Sequence, residues 1–260
     1  MASSTQSHAP IVVVTEGGPH IWAIVNALAD RFGPVSVLLE TPESKKHLLL
    51  RRARRQGWLS AVGQLGTMVL TRLGKRFLAS HASRMIREQN LRTVPAPAQA
   101  IVNISSANSS ECVEAIGKIR PGVVLLAGCR LLSKSILSQI PCPVLNYHAG
   151  IAPKYRGMNG GYWALATGDT DNFGTTVHLV DAGVDTGAVL RQARGHPQPG
   201  DTISSYALRQ AAFSRTICVE AVADALAGKL TTFDPGLPSK QWFHPTLWSY
   251  IWVGFRRGVW

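Results

Sequence analysis

The first hydrophobic run, Ile11–Val14, is four consecutive β-branched residues, the pattern of a parallel strand buried on both faces. Thr15-Glu16-Gly17-Gly18-Pro19 turns the chain. Apolar residues then recur at helical spacing (Ile21, Ile24, Val25, Leu28) between His20 and Phe32. Gly33-Pro34 ends that helix, and Val35–Leu39 reads as a second strand. Strand, helix and strand at this spacing predict a βαβ opening.

From Thr41 to Thr93 the alternation stops. The pattern is helical, with apolar residues between clusters of cations, and glycines at 57, 63, 66 and 74 predict breaks. This reads as two or three inserted helices. After Pro95 and Pro97 the α/β rhythm returns. Strands are predicted at Ile101–Ile104, Gly122–Ala127, Pro143–Tyr147, Thr175–Val180 and Ala188–Ala193. Helices are predicted over Ser109–Ile119 (capped by Asn108 or Ser109), Leu132–Gln139 and Gly160–Thr167. A longer one starts at an Asp201 or Thr202 cap and runs to about Ala227. The expected fold is α/β, a Rossmann-like, open, mostly parallel sheet with helices on both faces and a basic helical insertion. Residues 1–10 read as a disordered lead and 11–215 as the main unit, with the insertion at about 41–93. Residues 216–260 complete the last helix and form an aromatic tail packed on the domain.

Composition adds three constraints. A chain of 260 residues, 45% hydrophobic and 16% charged, can bury a full core. The four cysteines show neither CxxC pairing nor metal-ligand spacing, so a reducing compartment and no metal are expected. MASSTQSHAP lacks the basic and apolar regions of a secretory signal, and the uncharged stretch after Trp58 is too short and polar to span a bilayer. A cytoplasmic protein is expected. The net charge of +12 is concentrated in the insertion, where twelve Lys or Arg face two Glu. Such a field favours nucleic acid, acidic lipid or phosphorylated small molecules.

In an open α/β sheet, ligands bind at the carboxyl ends of the strands. Asn146 and His148 leave one strand end two residues apart, followed by the loop Ala149–Gly157. Asp185 follows the next strand in a turn containing Gly183 and Gly187. An amide, an imidazole and a carboxylate at one mouth suit acyl transfer to an amine. Asn and His N–H groups can stabilise an oxyanion, and a carboxylate beside an imidazole can handle protons. Each residue also has a plainer reading, as a turn former or a structural histidine. His178 lies within a strand and is read as structural.

The order Asn146-x-His148, Pro153-Lys154-Tyr155-Arg156-Gly157, Gly174-Thr175-Thr176-Val177-His178 and Asp185 resembles the folate-dependent formyltransferase family. That family includes glycinamide ribonucleotide, methionyl-tRNA and sugar-amine formyltransferases. The resemblance implies that Asn146, His148 and Asp185 are catalytic. It implies that Ala127, Gly128, Cys129, Arg130, Leu131 and Leu132 form one loop holding the pterin, and that Asp181, Ala182 and Gly183 belong to a second. It also implies 10-formyltetrahydrofolate as formyl donor, and Asp181 is equally readable as a turn residue.

The acceptor is expected to be a small-molecule amine. Thr15–His20 lacks the phosphate-binding loop expected of a glycinamide ribonucleotide enzyme, and the residues after Ala188 are expected to leave too little chain for the second domain of a tRNA enzyme. A nucleotide-linked amino sugar leads, with a hydroxyornithine-type siderophore precursor or glycinamide ribonucleotide as alternatives. A catalytically silent, basic nucleic-acid-binding protein is the reading from another class. The intact Asn146, His148 and Asp185 and the absence of aromatic-rich RNA motifs stand against it. The insertion is expected to be a solvated helix face, an anionic membrane contact, an acceptor-recognition element or a homodimer surface.

Overall fold

The computed structural model describes residues 8–97 and 99–260, and the side chains of these except at 75–78. Most of the expected lead lies outside the described residues. In chain order the elements are β1 (Ile11–Thr15), α1 (Pro19–Phe32), β2 (Ser36–Glu40), α2 (Lys45–Gln56), α3 (Trp58–Glu88), β3 (Ala100–Ile104), α4 (Ser110–Ile119) and β4 (Val123–Ala127). Then come α5 (Lys134–Leu137), β5 (Val144–His148), β6 (Arg156–Gly157), α6 (Gly160–Ala166), β7 (Gly174–Leu179), β8 (Val189–Arg194), α7 (Tyr206–Leu226), β9 (Gln241–Trp242) and α8 (Leu247–Arg257).

Seven strands form one sheet in the order β3-β2-β1-β4-β5-β7-β8. The first five pair in parallel, and β7 and β8 add antiparallel strands at one edge. β1, apolar up to Thr15, and the wholly apolar β4 are central, every residue of both buried, because helices cover both faces. Ile21, Ile24 and Val25 of α1 and Ala221 and Val222 of α7 pack with Val13 and Leu125 on one face. Cys112 and Ile116 of α4 and Ile136 of α5 pack with Val12 and Leu126 on the other. Each fully buried Val, Ile or Leu contributes about 1.5–3 kcal/mol.

The insertion forms two helices. Gly57, at φ 83, separates them, but Gly63, Gly66 and Gly74 lie inside the 31-residue α3. Two of these glycines allow close packing: a Cβ at Gly63 would lie 2.4 Å from the Trp248 ring, and one at Gly66 3.2 Å from Leu247. Both partners belong to α8, a helix that the sequence reading treats only as a packed aromatic tail. Tyr250 and Val253 of α8 are buried, whereas Trp248, Ile251, Trp252 and Phe255 are exposed, so the packing expectation holds for one face only.

Two other boundaries differ. α5 covers only Lys134–Leu137, because Ser133 caps it by accepting from the Ile136 N–H. α7 starts at Tyr206, and Asp201 is an ion-pair centre instead of a cap. Its buried carboxylate accepts from Arg209 Nε at 2.8 Å, the Gln198 N–H at 2.8 Å and Ser205 Oγ at 3.1 Å, and it pairs with His81 of α3 at 2.8 Å. Burial opposes its ionisation, but these partners outweigh burial and lower its pKa. Asp201→Ala strands Arg209, which is 8% exposed, without its anion. The expected cost is about 3–5 kcal/mol in urea unfolding; a loss within the range of ordinary surface substitutions would remove Asp201 as the tie between α3 and α7.

Candidate active site

Asn146 and His148 project from the end of β5, and Asn146 lies opposite His178 of β7 in register. Asp185 sits in the turn after β7 at φ 49, a left-handed conformation. Gly187 makes that turn possible, since a Cβ there would lie 1.7 Å from the Leu179 carbonyl oxygen. Asp181 closes the same turn, its Oδ1 accepting from the Gly183 N–H at 2.9 Å and the Thr186 hydroxyl at 2.7 Å.

The three predicted catalytic residues meet in one network. Asp185 Oδ1 accepts from Asn146 Nδ2 at 3.1 Å and lies 3.4 Å from His178 Nε2. Its Oδ2 accepts from the Gly157 N–H at 2.8 Å and lies 3.4 Å from His148 Nδ1. His148 Nε2 is 2.6 Å from the Tyr155 carbonyl oxygen, and His178 Nδ1 is 2.6 Å from that of Leu179. A carbonyl only accepts, so each of those ring nitrogens carries a proton. His178 Nε2 can then accept from Asn146 Nδ2 at 3.0 Å, and a bond from His148 to Asp185 requires a second proton, on Nδ1.

Two points differ from the sequence reading. Both amide hydrogens of Asn146 are directed within the network, to Asp185 and His178, so Asn146 is not poised as the oxyanion donor in this arrangement. His178, read as a structural strand residue, touches both Asn146 and Asp185. Burial of Asp185 opposes ionisation, yet the charges and hydrogen bonds of His148, His178 and Gly157 outweigh it. They hold its carboxyl well below the usual carboxylate range.

The network opens into a cavity of about 390 Å³. Of the residues expected to hold the pterin, Gly128, Cys129, Arg130, Leu131, Asp181 and Gly183 line it. Ala127 and Leu132 are buried in the core, and Ala182 is exposed outside the lining. Arg130 has a structural share: its guanidinium reaches Glu40 at 3.0 Å and the Thr41 carbonyl at 2.6 Å, while its own N–H meets Glu40 at 2.9 Å. Periodicity gives no sign that Arg51, Arg52, Arg55 and Gln64 of the insertion, or Asn159 after β6, line the same cavity. The cationic run is their only trace in the sequence.

A model of the formyl transferase family matches residues 10–222. The chain belongs to that family. Within it, the chain is 34% identical over 117 residues to a methionyl-tRNA formyltransferase from Koribacter versatilis, a match covering 45% of this chain and 37% of that one. The chain thus matches well under two thirds of that curated relative's length. Among solved structures, glycinamide ribonucleotide transformylase 1 from Symbiobacterium toebii superposes with a TM-score of 0.57 at 22% identity, covering 92% of this chain and 98% of that one. A sugar N-formyltransferase from Shewanella sp. FDAARGOS_354 gives 0.53 at 16% identity, covering 90% and 76%. At these identities the structural likeness establishes the α/β fold.

Because the folded pKa of Asp185 is depressed, its contribution to stability is complete above the unfolded value and is lost as pH falls through the folded one. The stability difference between this formyl transferase family member and its Asp185→Asn variant should shrink as pH falls below about 4, where an unfolded aspartate titrates. Denaturant titrations across pH test this; a difference that persists undiminished through the acid range would contradict an ionised, compensated Asp185.

Proposed function

We propose that the chain transfers a formyl group from 10-formyltetrahydrofolate to the amine of a small molecule, with a nucleotide-linked amino sugar as acceptor. The observation that carries this reading is the Asn146–His148–Asp185 network at the mouth of one cavity, in a chain of the formyl transferase family. A reduced folate fits the residues present. The Gly128–Leu131 loop and the Asp181–Asp185 turn line the cavity with backbone edges, and half-exposed Leu131 offers apolar surface to a flat ring.

In the reaction the acceptor nitrogen attacks the formyl carbon. A new C–N bond forms, the bond from that carbon to the folate nitrogen breaks, the amine loses a proton and the folate nitrogen gains one. Asp185 fixes the charge of the site and holds His148 through Nδ1. The contact of 3.4 Å is looser than a formed charge-assisted bond of about 2.7–2.9 Å, so a doubly protonated His148 can share its Nδ1–H between Asp185 and an oxyanion in the cavity. Asn146, with both N–H groups committed inward, offers its carbonyl oxygen to the attacking amine. The protein need not supply a nucleophile. Cys129 is the thiol lining the cavity among the described residues. Burial, with nearby Glu40, pushes its pKa far up and keeps it protonated.

Support for a sugar acceptor is the sugar N-formyltransferase among the structural neighbours, together with the cations on the cavity wall. Asp185→Asn should bind 5-formyltetrahydrofolate in calorimetry about as well as the unaltered chain. Its turnover of a nucleotide-linked amino sugar should fall about 10²–10⁴-fold. Near-normal turnover would remove Asp185 from the chemistry.

A further inference from the structure

Arg52 of α2 lines the catalytic cavity and is 7% exposed. Among the described residues its guanidinium reaches only sulfur, Nη1 lying 3.4 Å from Met68 Sδ and Nη2 3.8 Å from Met158 Sδ. Thioethers are weak acceptors. Among the described residues no carboxylate forms an ion pair with Arg52. The nearby acid, Glu43, gives both oxygens to Arg51, at 3.3 and 2.6 Å. A buried cation without an anion is unfavourable in a folded chain. Burial and the neighbouring Arg51 both disfavour its charged form. Two further groups on the same cavity wall are buried and unpartnered: the Gln64 side-chain oxygen and the Asn159 side-chain nitrogen. Gln64 uses its nitrogen on Gln56, at 2.7 Å.

We infer that Arg52, with Arg51 and Arg55 beside it on α2, is the subsite for a phosphate or diphosphate carried by the acceptor, whose hydroxyl groups meet Gln64 and Asn159. The ligand class is a phosphorylated, hydroxylated amine, and its role as acceptor rests on the formyl-transfer reading. An anion between Arg52 and Arg55 would receive the guanidinium's planar fork, and the insertion would be the element that selects the acceptor.

The test is calorimetry of the full chain with inorganic phosphate, inorganic pyrophosphate and 5-formyltetrahydrofolate, comparing Arg52→Met with the unaltered protein. Methionine replaces the cation by an apolar chain of similar length among methionines. Pyrophosphate binding should therefore weaken at least about tenfold while the ligand-free melting temperature holds or rises and folate affinity is unchanged. Pyrophosphate much tighter than phosphate would identify a diphosphate, and equal affinities a phosphate monoester, both resting on Arg52. Pyrophosphate binding untouched by Arg52→Met would overturn the subsite, as would a lowered melting temperature without a binding effect, which would make Arg52 structural. Folate failing to bind the unaltered protein while pyrophosphate binding still depends on Arg52 would overturn formyl transfer and leave the anion site standing.

A separate observation concerns the outer face of the insertion. Leu59, Val62, Val69 and Leu73 of α3 lie at helical spacing and are 76%, 55%, 51% and 64% exposed. On α8, packed against α3, Trp252 and Phe255 are 60% and 82% exposed. Exposed cations accompany them (Lys45, Lys46, Arg72, Arg256), and no acidic residue follows Asp234. Among the described residues no helix is long and apolar enough to cross a membrane. We propose that this face lies on an anionic bilayer surface, its aromatic residues entering the interface and its cations meeting headgroups. The chain should sediment with phosphatidylserine-containing vesicles at low salt and not with phosphatidylcholine alone, and a Trp252→Glu, Phe255→Glu double variant should stay in solution while remaining folded. No sedimentation, equal sedimentation of the variant, or a dimer that buries Phe255 and ignores vesicles would overturn the proposal.

Discussion

The ionised carboxylate of Asp185 is the constraint on which the site depends. A carboxylate so enclosed survives only if positive charge and N–H groups replace the water it loses. His148, Asn146 and the Gly157 N–H supply them. Those donors come from two separate elements, the end of β5 and strand β6, and they converge on the turn after β7. Satisfying one charge therefore fixes the end of β5, the turn after β7 and strand β6 relative to one another. Arg156 strengthens the link by donating to the Val184 carbonyl at 2.8 Å, beside the carboxylate it frames.

The loop that leads into β6 can take part because two glycines let backbone lie against backbone. A Cβ on Gly150 would come within 2.5 Å of His148 Nε2 and 2.6 Å of the Tyr155 carbonyl, and one on Gly160 within 2.5 Å of the Gly150 Cα. The His148–Tyr155 bond, which sets the protonation pattern of the imidazole, passes through that space. Further out, Tyr155 is anchored by its hydroxyl on Asp169 at 2.7 Å, and Asp169 in turn pairs with Lys154 at 2.6 Å. The strand β9 pairs with β6 and brings the C-terminal segment over the loop. Sequence-distant segments thus support the loop from its outer side.

How much of this was legible follows from which physical signals are local. β1 and β4 announce themselves because burial on both faces demands uninterrupted apolar runs, and α1 because its one buried face repeats at helical spacing; their boundaries agree closely with the expected ones. Asn146, His148 and Asp185 were legible as a set because a strand end and a glycine-bounded turn leave their mark in neighbouring residues. His178 was not: nothing in a strand's own pattern shows that its imidazole faces the Asp185 carboxylate across the antiparallel β5–β7 pair. The glycines at 63 and 66 misled for a similar reason. Helix propensity treats them as breaks, whereas their role comes from Trp248 and Leu247, residues far along the chain. Asp201 likewise looked like a local cap, and its actual partners include His81 and Arg209 on two different helices.

The insertion shows the same limit in its most consequential form. A cationic run in a sequence does not distinguish Arg54, which is exposed, from Arg52, which is buried. Only the packing of α2 against the cavity makes the distinction. Local consistency would favour an apolar side chain at 52, next to Met68 and Met158, and a folded chain tends to depart from such consistency where a ligand is held. The Asp185 network and Arg52 are opposite cases of one rule. Asp185 is buried with its compensating partners supplied by the protein, so its charge organises the fold. Arg52 is buried with no ion-pair partner among the described residues, and the inferred anion subsite is the counterpart its charge lacks.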